Sequence, residues 1–243
     1  GIRSLLSLSL RSCLEIFHVF GDASRDGAIG AALKSLSAKP LERVGNKQAV
    51  ALAVFAGLLS AEQAEREVLS KEPLRGLSTF LGYYVMQARA KAGAMRGALD
   101  IIRRYYGAML DLGATTMWED FDLQWAEGAK PLDTLLREGE YDVHGDNGGY
   151  CYKGYRHSLC HGWAAGTVPF AGEYILGIRV AEAGCKKLIL SPDLGDLQWA
   201  EGTFPTPYGD VRVRAEQRGG QTDIQYEAPA QICIEILKTS EGN

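Results

Sequence analysis

The sequence predicts a mainly α chain with a β appendix: paired helices over 1–180, then a small antiparallel β domain over 181–243. Three observations carry this. Apolar residues recur at helical spacing as far as about residue 180. Beyond it the period shortens to two. Gly and Pro then punctuate the chain at short intervals, as hairpin connections require.

Taken in order, Ile2 to Leu10 is apolar and serine-rich, interrupted by Arg3 and closed by Arg11. It is too short to span a bilayer and has no small-residue cleavage site. We expect a buried helix there, or the ragged end of a fragment, since the first residue is Gly and not Met. Ala28, Ile29, Ala32, Leu33 and Leu36 mark a second helix. Val50, Ala53, Val54 and Leu58 mark a third, which Asn46 can open. Ser60 followed by Gln63 is a capping-box pattern, so a helix starts at Ala61 and ends before Pro73. Leu77 to Ala88 and Ala98 to Met109 repeat the helical face, with Gly93 at the tight link between them. Such pairs with short links read as αα-hairpins.

Residues 111–160 are rich in Gly and aromatics, the composition of long binding loops on a rigid scaffold or of a surface insertion. In the second part, Lys187 to Leu190, Gly209 to Gln217, Thr222 to Tyr226 and Gln231 to Leu237 read as strands. Val211 and Val213 alternate with Arg212 and Arg214, and Gly219-Gly220 makes a hairpin turn.

Bulk properties narrow the partners. The 243 residues are 46% hydrophobic, enough for a substantial core, with 30 acids against 26 bases. No basic stripe is present, so nucleic acid is not an expected partner. No segment reads as a membrane span, so a membrane is not expected either. The five cysteines are odd in number and scattered, which argues against a disulfide framework and leaves the compartment open between cytoplasm, periplasm and secretion.

Three stretches can carry chemistry. Asp111 to Asp122, DLGATTMWEDFD, sets four acids beside Trp118. An aromatic face stacks on the C–H face of a sugar, and a neighbouring carboxylate binds hydroxyls or activates water. Acids also favour helix starts, so spacing alone leaves both readings open. Asp142 to Trp163, DVHGDNGGYCYKGYRHSLCHGW, holds three of the four histidines. Cys151, His157, Cys160 and His161 do not follow zinc-ligand spacing, so no metal or other cofactor is expected. A Cys–His nucleophile lacks a recognisable orienting third group. His161 suits a hydrogen bond to a sugar hydroxyl better. In Leu194 to Gly209, LGDLQWAEGTFPTPYG, Trp199 and Glu201 allow a sugar site, but the Gly/Pro punctuation favours strand–turn–strand. QWAEG occurs at 124–128 and again at 198–202, in surroundings too different for an internal repeat.

STFLGYYVMQARAKAG and ALDIIRRYYGAMLDLGATTMWEDFD resemble the late helices and catalytic loop of bacterial family 78 glycoside hydrolases, the α-L-rhamnosidases. HGDNGGYCYKGYRHSLCHGW, EYILGI and LGDLQWAEGTFPTPYG resemble the following loop, the last barrel helix and the opening of the C-terminal sandwich. The motifs run in family order from about residue 46 to 215. The resemblance implies an (α/α)6 barrel followed by a β-sandwich, and hydrolysis of terminal α-L-rhamnosides with inversion. It makes Glu119 the general base. It sets Trp118, His161, Trp163 and Asp146 at the sugar, with Trp163 packing beneath the pocket.

The family's general acid lies in an upstream acidic segment with a Gly-Trp pair, which has no counterpart in residues 1–45. About 180 residues are also too few for twelve helices and their loops. The expectation is part of a barrel plus its sandwich, carrying the base without the acid. It acts on a rhamnose-containing glycoside, or it is a non-catalytic carbohydrate-binding or structural piece. An uncovered half barrel should expose apolar faces before residue 75, open to the missing barrel helices or to a second copy.

Overall fold

The computed structural model describes residues 1–39, 45–135, 137–140 and 158–237. Helices fill the first part: α1 (Ile2–Val19), α2 (Asp26–Ala38), α3 (Lys47–Phe55) and α4 (Ala61–Ala64), the last running into a π-turn (Glu65–Leu69). α5 (Gly82–Lys91) follows, then α6 (Met95–Ile101), which continues through a π-turn (Ile102–Tyr106) into α7 (Gly107–Asp111). The starts follow their caps. Asn46 accepts from the Ala49 N–H at 2.9 Å and Ser60 from the Gln63 N–H at 3.1 Å, each satisfying an otherwise orphaned amide. Between α5 and α6, Gly93 adopts φ +75°, a conformation that costs glycine little.

α1 departs from the expected buried helix. It turns Ser4 and Ser7 toward α2 and α3 and leaves Ile2, Leu5, Leu6, Ile16, Val19 and Phe20 exposed. The small serines let the helices approach closely. The apolar side chains, spaced three and four residues apart, then fall on the opposite face.

The second part begins after α8 (Thr167–Phe170) and a π-turn (Ala171–Ile175). One sheet runs in the order β1 (Ile178–Val180), β2 (Lys187–Leu190), β6 (Cys233–Ile236); the other is β3 (Trp199–Thr206), β4 (Gly209–Arg218), β5 (Gln221–Glu227). The pairings are antiparallel except β2–β6, which is parallel. This corrects the purely antiparallel expectation. β6 returns from the other sheet and enters beside β2 in the same direction, a long-range pairing that no local pattern encodes.

Arg218 pairs with Gln221 across Gly219-Gly220, both at positive φ, as a two-residue hairpin of primed type requires. Leu188 and Leu190 of one sheet and Val211 and Val213 of the other share a core with Ile178 and Ile232. Ala215 and Leu194 join the larger helical core instead, so the second part is seated against the first.

Candidate active site

Two of the loops singled out from sequence meet. The Glu119 N–H donates to the Ser158 carbonyl at 2.8 Å, and the His161 N–H donates to the Met117 carbonyl at 2.8 Å. The Thr116 hydroxyl donates to the Leu159 carbonyl. These bonds lay 116–119 against 158–161, so the segments that carry Glu119 and His161 are neighbours.

Glu119 is tied further. Its Oε2 accepts the Ser158 N–H at 2.8 Å, a charge-assisted bond that fixes the carboxylate's orientation. Its carbonyl accepts the Thr79 hydroxyl at 2.6 Å. Thr79 is fully buried, and its own carbonyl accepts the Tyr106 hydroxyl at 2.7 Å. Tyr105, beside it on the π-turn, donates to the Phe121 carbonyl at 2.5 Å. Burial pushes both tyrosine hydroxyls well above their usual range, so they act as neutral donors. Thr79 and Phe80 are the site residues that sequence reasoning missed. They stand at the head of the STFLGYY run, whose apolar spacing signals a helix and gives no sign of this contact.

The aromatics divide by face. Trp118 is fully buried, edge-on to Phe121 with ring centroids 5.7 Å apart. It belongs to the buried core of the helical part. Trp163 is the reverse. It is 70% exposed, with its ring centroid 5.9 Å from that of His161 and 5.5 Å from that of Phe80. Asp146 lies outside the described residues.

The other acids of the first stretch have local roles. Asp122 accepts the Gln124 N–H at 2.8 Å and opens the 3-10 turn Leu123–Glu127, while Asp111 ends α7. Glu201 pairs with Arg214 across β3 and β4 at 2.8 Å. A hollow of about 300 Å³ lies among Leu74, Arg104, Asp122 and Gln124. It is not lined by Glu119, His161 or Trp163, and its charged groups include the Glu72–Arg75 pair. Among the described residues no three His, Cys, Asp or Glu side chains converge as metal ligands. A carboxylate, an imidazole and an exposed indole thus stand on neighbouring segments.

Comparison with known proteins points one way. Residues 177–242 match the bacterial alpha-L-rhamnosidase C-terminal domain. Over 127 residues the chain is 34% identical to an alpha-L-rhamnosidase of Alteromonas sp. (strain LOR), a match that takes in 51% of this chain and 11% of that protein. The fold is similar to that of the GH78 family rhamnosidase of Bacillus sp. GL1, with TM-score 0.69, 24% identity, and coverage of 95% of this chain and 25% of that one. It is likewise similar to the Streptomyces avermitilis alpha-L-rhamnosidase complexed with L-rhamnose, with TM-score 0.71, 17% identity, and coverage of 96% and 22%. The chain thus spans about a tenth of the curated relative and about a quarter of the solved structures.

Proposed function

We propose that this chain, a C-terminal portion of a family 78 glycoside hydrolase, carries the water-activating half of an inverting hydrolysis of terminal α-L-rhamnosides. The observation that carries the reading is the Glu119 carboxylate, held by the Ser158 N–H at 2.8 Å in a segment bonded to the one that carries His161. In an inverting reaction one carboxylate takes a proton from water as the water oxygen attacks the anomeric carbon. An opposed acid, roughly 6.5–9.5 Å away, protonates the leaving oxygen on the other face. Glu119 is the base in this scheme. His161 hydrogen-bonds a sugar hydroxyl, Trp163 offers its exposed face to the C–H side of the ring, and Asp146 is a further contact from the matching loop. Trp118 braces the Glu119 segment from the core.

In this reading residues 1–180 are part of a six-hairpin barrel and 181–243 its sandwich. The exposed apolar stripe of α1 supports it, because it lies uncovered where further barrel helices would pack. The solved relatives, of which the chain covers about a quarter, supply more than enough length for them. A second reading is a sugar-binding or structural piece without hydrolysis.

Rhamnose release from an aryl α-L-rhamnoside separates the two. It is measured for the chain alone, for an enzyme containing the whole barrel, and for Glu119→Gln in that enzyme. Loss of the base lowers kcat by about 10²–10⁴-fold. The chain alone, without leaving-group protonation, releases little. Full activity in Glu119→Gln removes the base assignment.

A further inference from the structure

The β3–β4–β5 sheet carries a second surface with the chemistry of a sugar site, separate from Glu119. The register sets Trp199, Glu201 and Thr203 of β3 opposite Glu216, Arg214 and Arg212 of β4, all on the outward side of the sheet. β3 is an edge strand, and Trp199 is 55% exposed on it. An aromatic at an outward edge position keeps much of its ring open to solvent.

Its surroundings are ordered. The Arg214 guanidinium lies 4.8 Å from the Trp199 ring centroid and braces one face of the indole. The same guanidinium donates to Glu201 at 2.8 Å, and Arg212 pairs with Glu227 at 3.6 Å. Beside the indole, Trp199, Glu201, Gly202, Thr203 and Arg212 border a cavity of about 440 Å³.

These features select the ligand. The charges are matched within the sheet, so an anion meets the Glu201 and Glu216 carboxylates and a cation meets the Arg212 and Arg214 guanidiniums. A wholly apolar ligand leaves those polar groups desolvated without compensation. A neutral, hydroxyl-rich ring conflicts with none of them. Its hydroxyls meet donors and acceptors already oriented by ion pairs, and its C–H face meets the indole. We propose that this face of the sandwich binds a neutral glycan, with Trp199 as its stacking platform and Glu201, Thr203 and Arg212 as hydroxyl contacts. The cavity volume falls within the range of small-molecule sites.

The four tryptophan indole N–H groups provide the test, because each gives a separate signal in a ¹⁵N-labelled sample. The Trp199 signal is identified by its absence in Trp199→Phe. The chain is titrated separately with methyl α-L-rhamnopyranoside, with maltohexaose and with an oligogalacturonate. We expect the Trp199 signal to move with at least one neutral probe and to saturate at a concentration on the order of 1–10 mM, as suits one stacked ring and a few hydrogen bonds. Arg212→Ala should weaken that response several-fold, and the oligogalacturonate should leave the signal in place. No movement with either neutral probe up to about 100 mM overturns the proposal. So does movement with the oligogalacturonate alone, or movement with protein concentration in the absence of sugar, which reports contact between copies.

Discussion

Tyr106→Phe removes a single oxygen from the support of Glu119. The Tyr106 hydroxyl donates to the Thr79 carbonyl at 2.7 Å, and the Thr79 hydroxyl donates to the Glu119 carbonyl at 2.6 Å. The ring stays, so the packing of the π-turn against the core is retained. The lost oxygen leaves the carbonyl of a fully buried residue without that donor, and burial keeps water from replacing it. The cost is the desolvation of an orphaned acceptor, about 1–3 kcal/mol. Urea unfolding should show it as a lower midpoint at unchanged m-value. Thr79→Val should cost about 1 kcal/mol, with Thr79→Ser restoring it. In an active enzyme containing this chain, both variants should lower kcat more than they change KM. Displacing the Glu119 backbone by a fraction of an ångström is expected to cost on the order of 10-fold. Tyr106→Phe within about 0.5 kcal/mol of the parent, with unchanged kcat, refutes the relay.

Three further outcomes follow from packing and charge. Arg89 donates to both Glu65 oxygens, at 2.9 and 3.1 Å, and to the Gly97 carbonyl at 3.1 Å, with both side chains largely buried. Arg89→Met should cost about 3–5 kcal/mol in urea unfolding, and Arg89→Met with Glu65→Met should recover most of it, because the stranded carboxylate is the expensive part. Gly177 adopts φ +65° where the last helix passes into β1, and a Cβ there would stand 2.1 Å from the Ser191 backbone. Gly177→Ala should therefore cost about 3 kcal/mol or more, visible as a lowered Tm. Arg103 grips Asp196 at 2.8 and 2.9 Å and holds its carboxyl below the usual carboxylate range. The unfolded chain then takes up the proton first, so this stabilisation is complete at neutral pH and is lost as pH falls below about 4. The Tm gap between parent and Asp196→Asn should narrow as the pH falls below about 4 and shrink with added salt, since the pair faces solvent.

Features written in local chemistry were legible. Asn46 and Ser60 open helices because a side-chain acceptor three residues before an amide is a local arrangement. Gly93 and Gly219-Gly220 turn the chain because only glycine takes positive φ cheaply. The partnership of 116–119 with 158–161 was reachable through the ordered motifs, although their spacing gives no contact. What stayed hidden depends on facing. A Trp beside a Glu announces an aromatic near a carboxylate, yet Trp118 is buried in the core and the exposed indole near His161 is that of Trp163. α1 is not the buried helix its composition suggests, but it does show the open apolar face expected before residue 75. Its apolar residues predict burial only when something covers that face, and the face they occupy is open.

The repeated pentapeptide separates local preference from context. Gln124 to Gly128 and Gln198 to Gly202 are the same five residues. The first copy lies in a 3-10 turn that Asp122 opens by accepting the Gln124 N–H at 2.8 Å, and its Trp125 packs against the helical core. The second enters β3, where Trp199 pairs with Glu216 and Glu201 with Arg214, and its Trp stands exposed. Intrinsic propensity is identical in the two, so the difference comes from the flanks: a capping aspartate before one copy, and a partner strand running back across a two-residue turn after the other. Each setting also decides what the Trp is for. In a turn seated on a core it fills volume, whereas on an edge strand backed by Arg214 it keeps a face toward solvent. The same letters therefore serve packing at one position and offer a binding surface at the other.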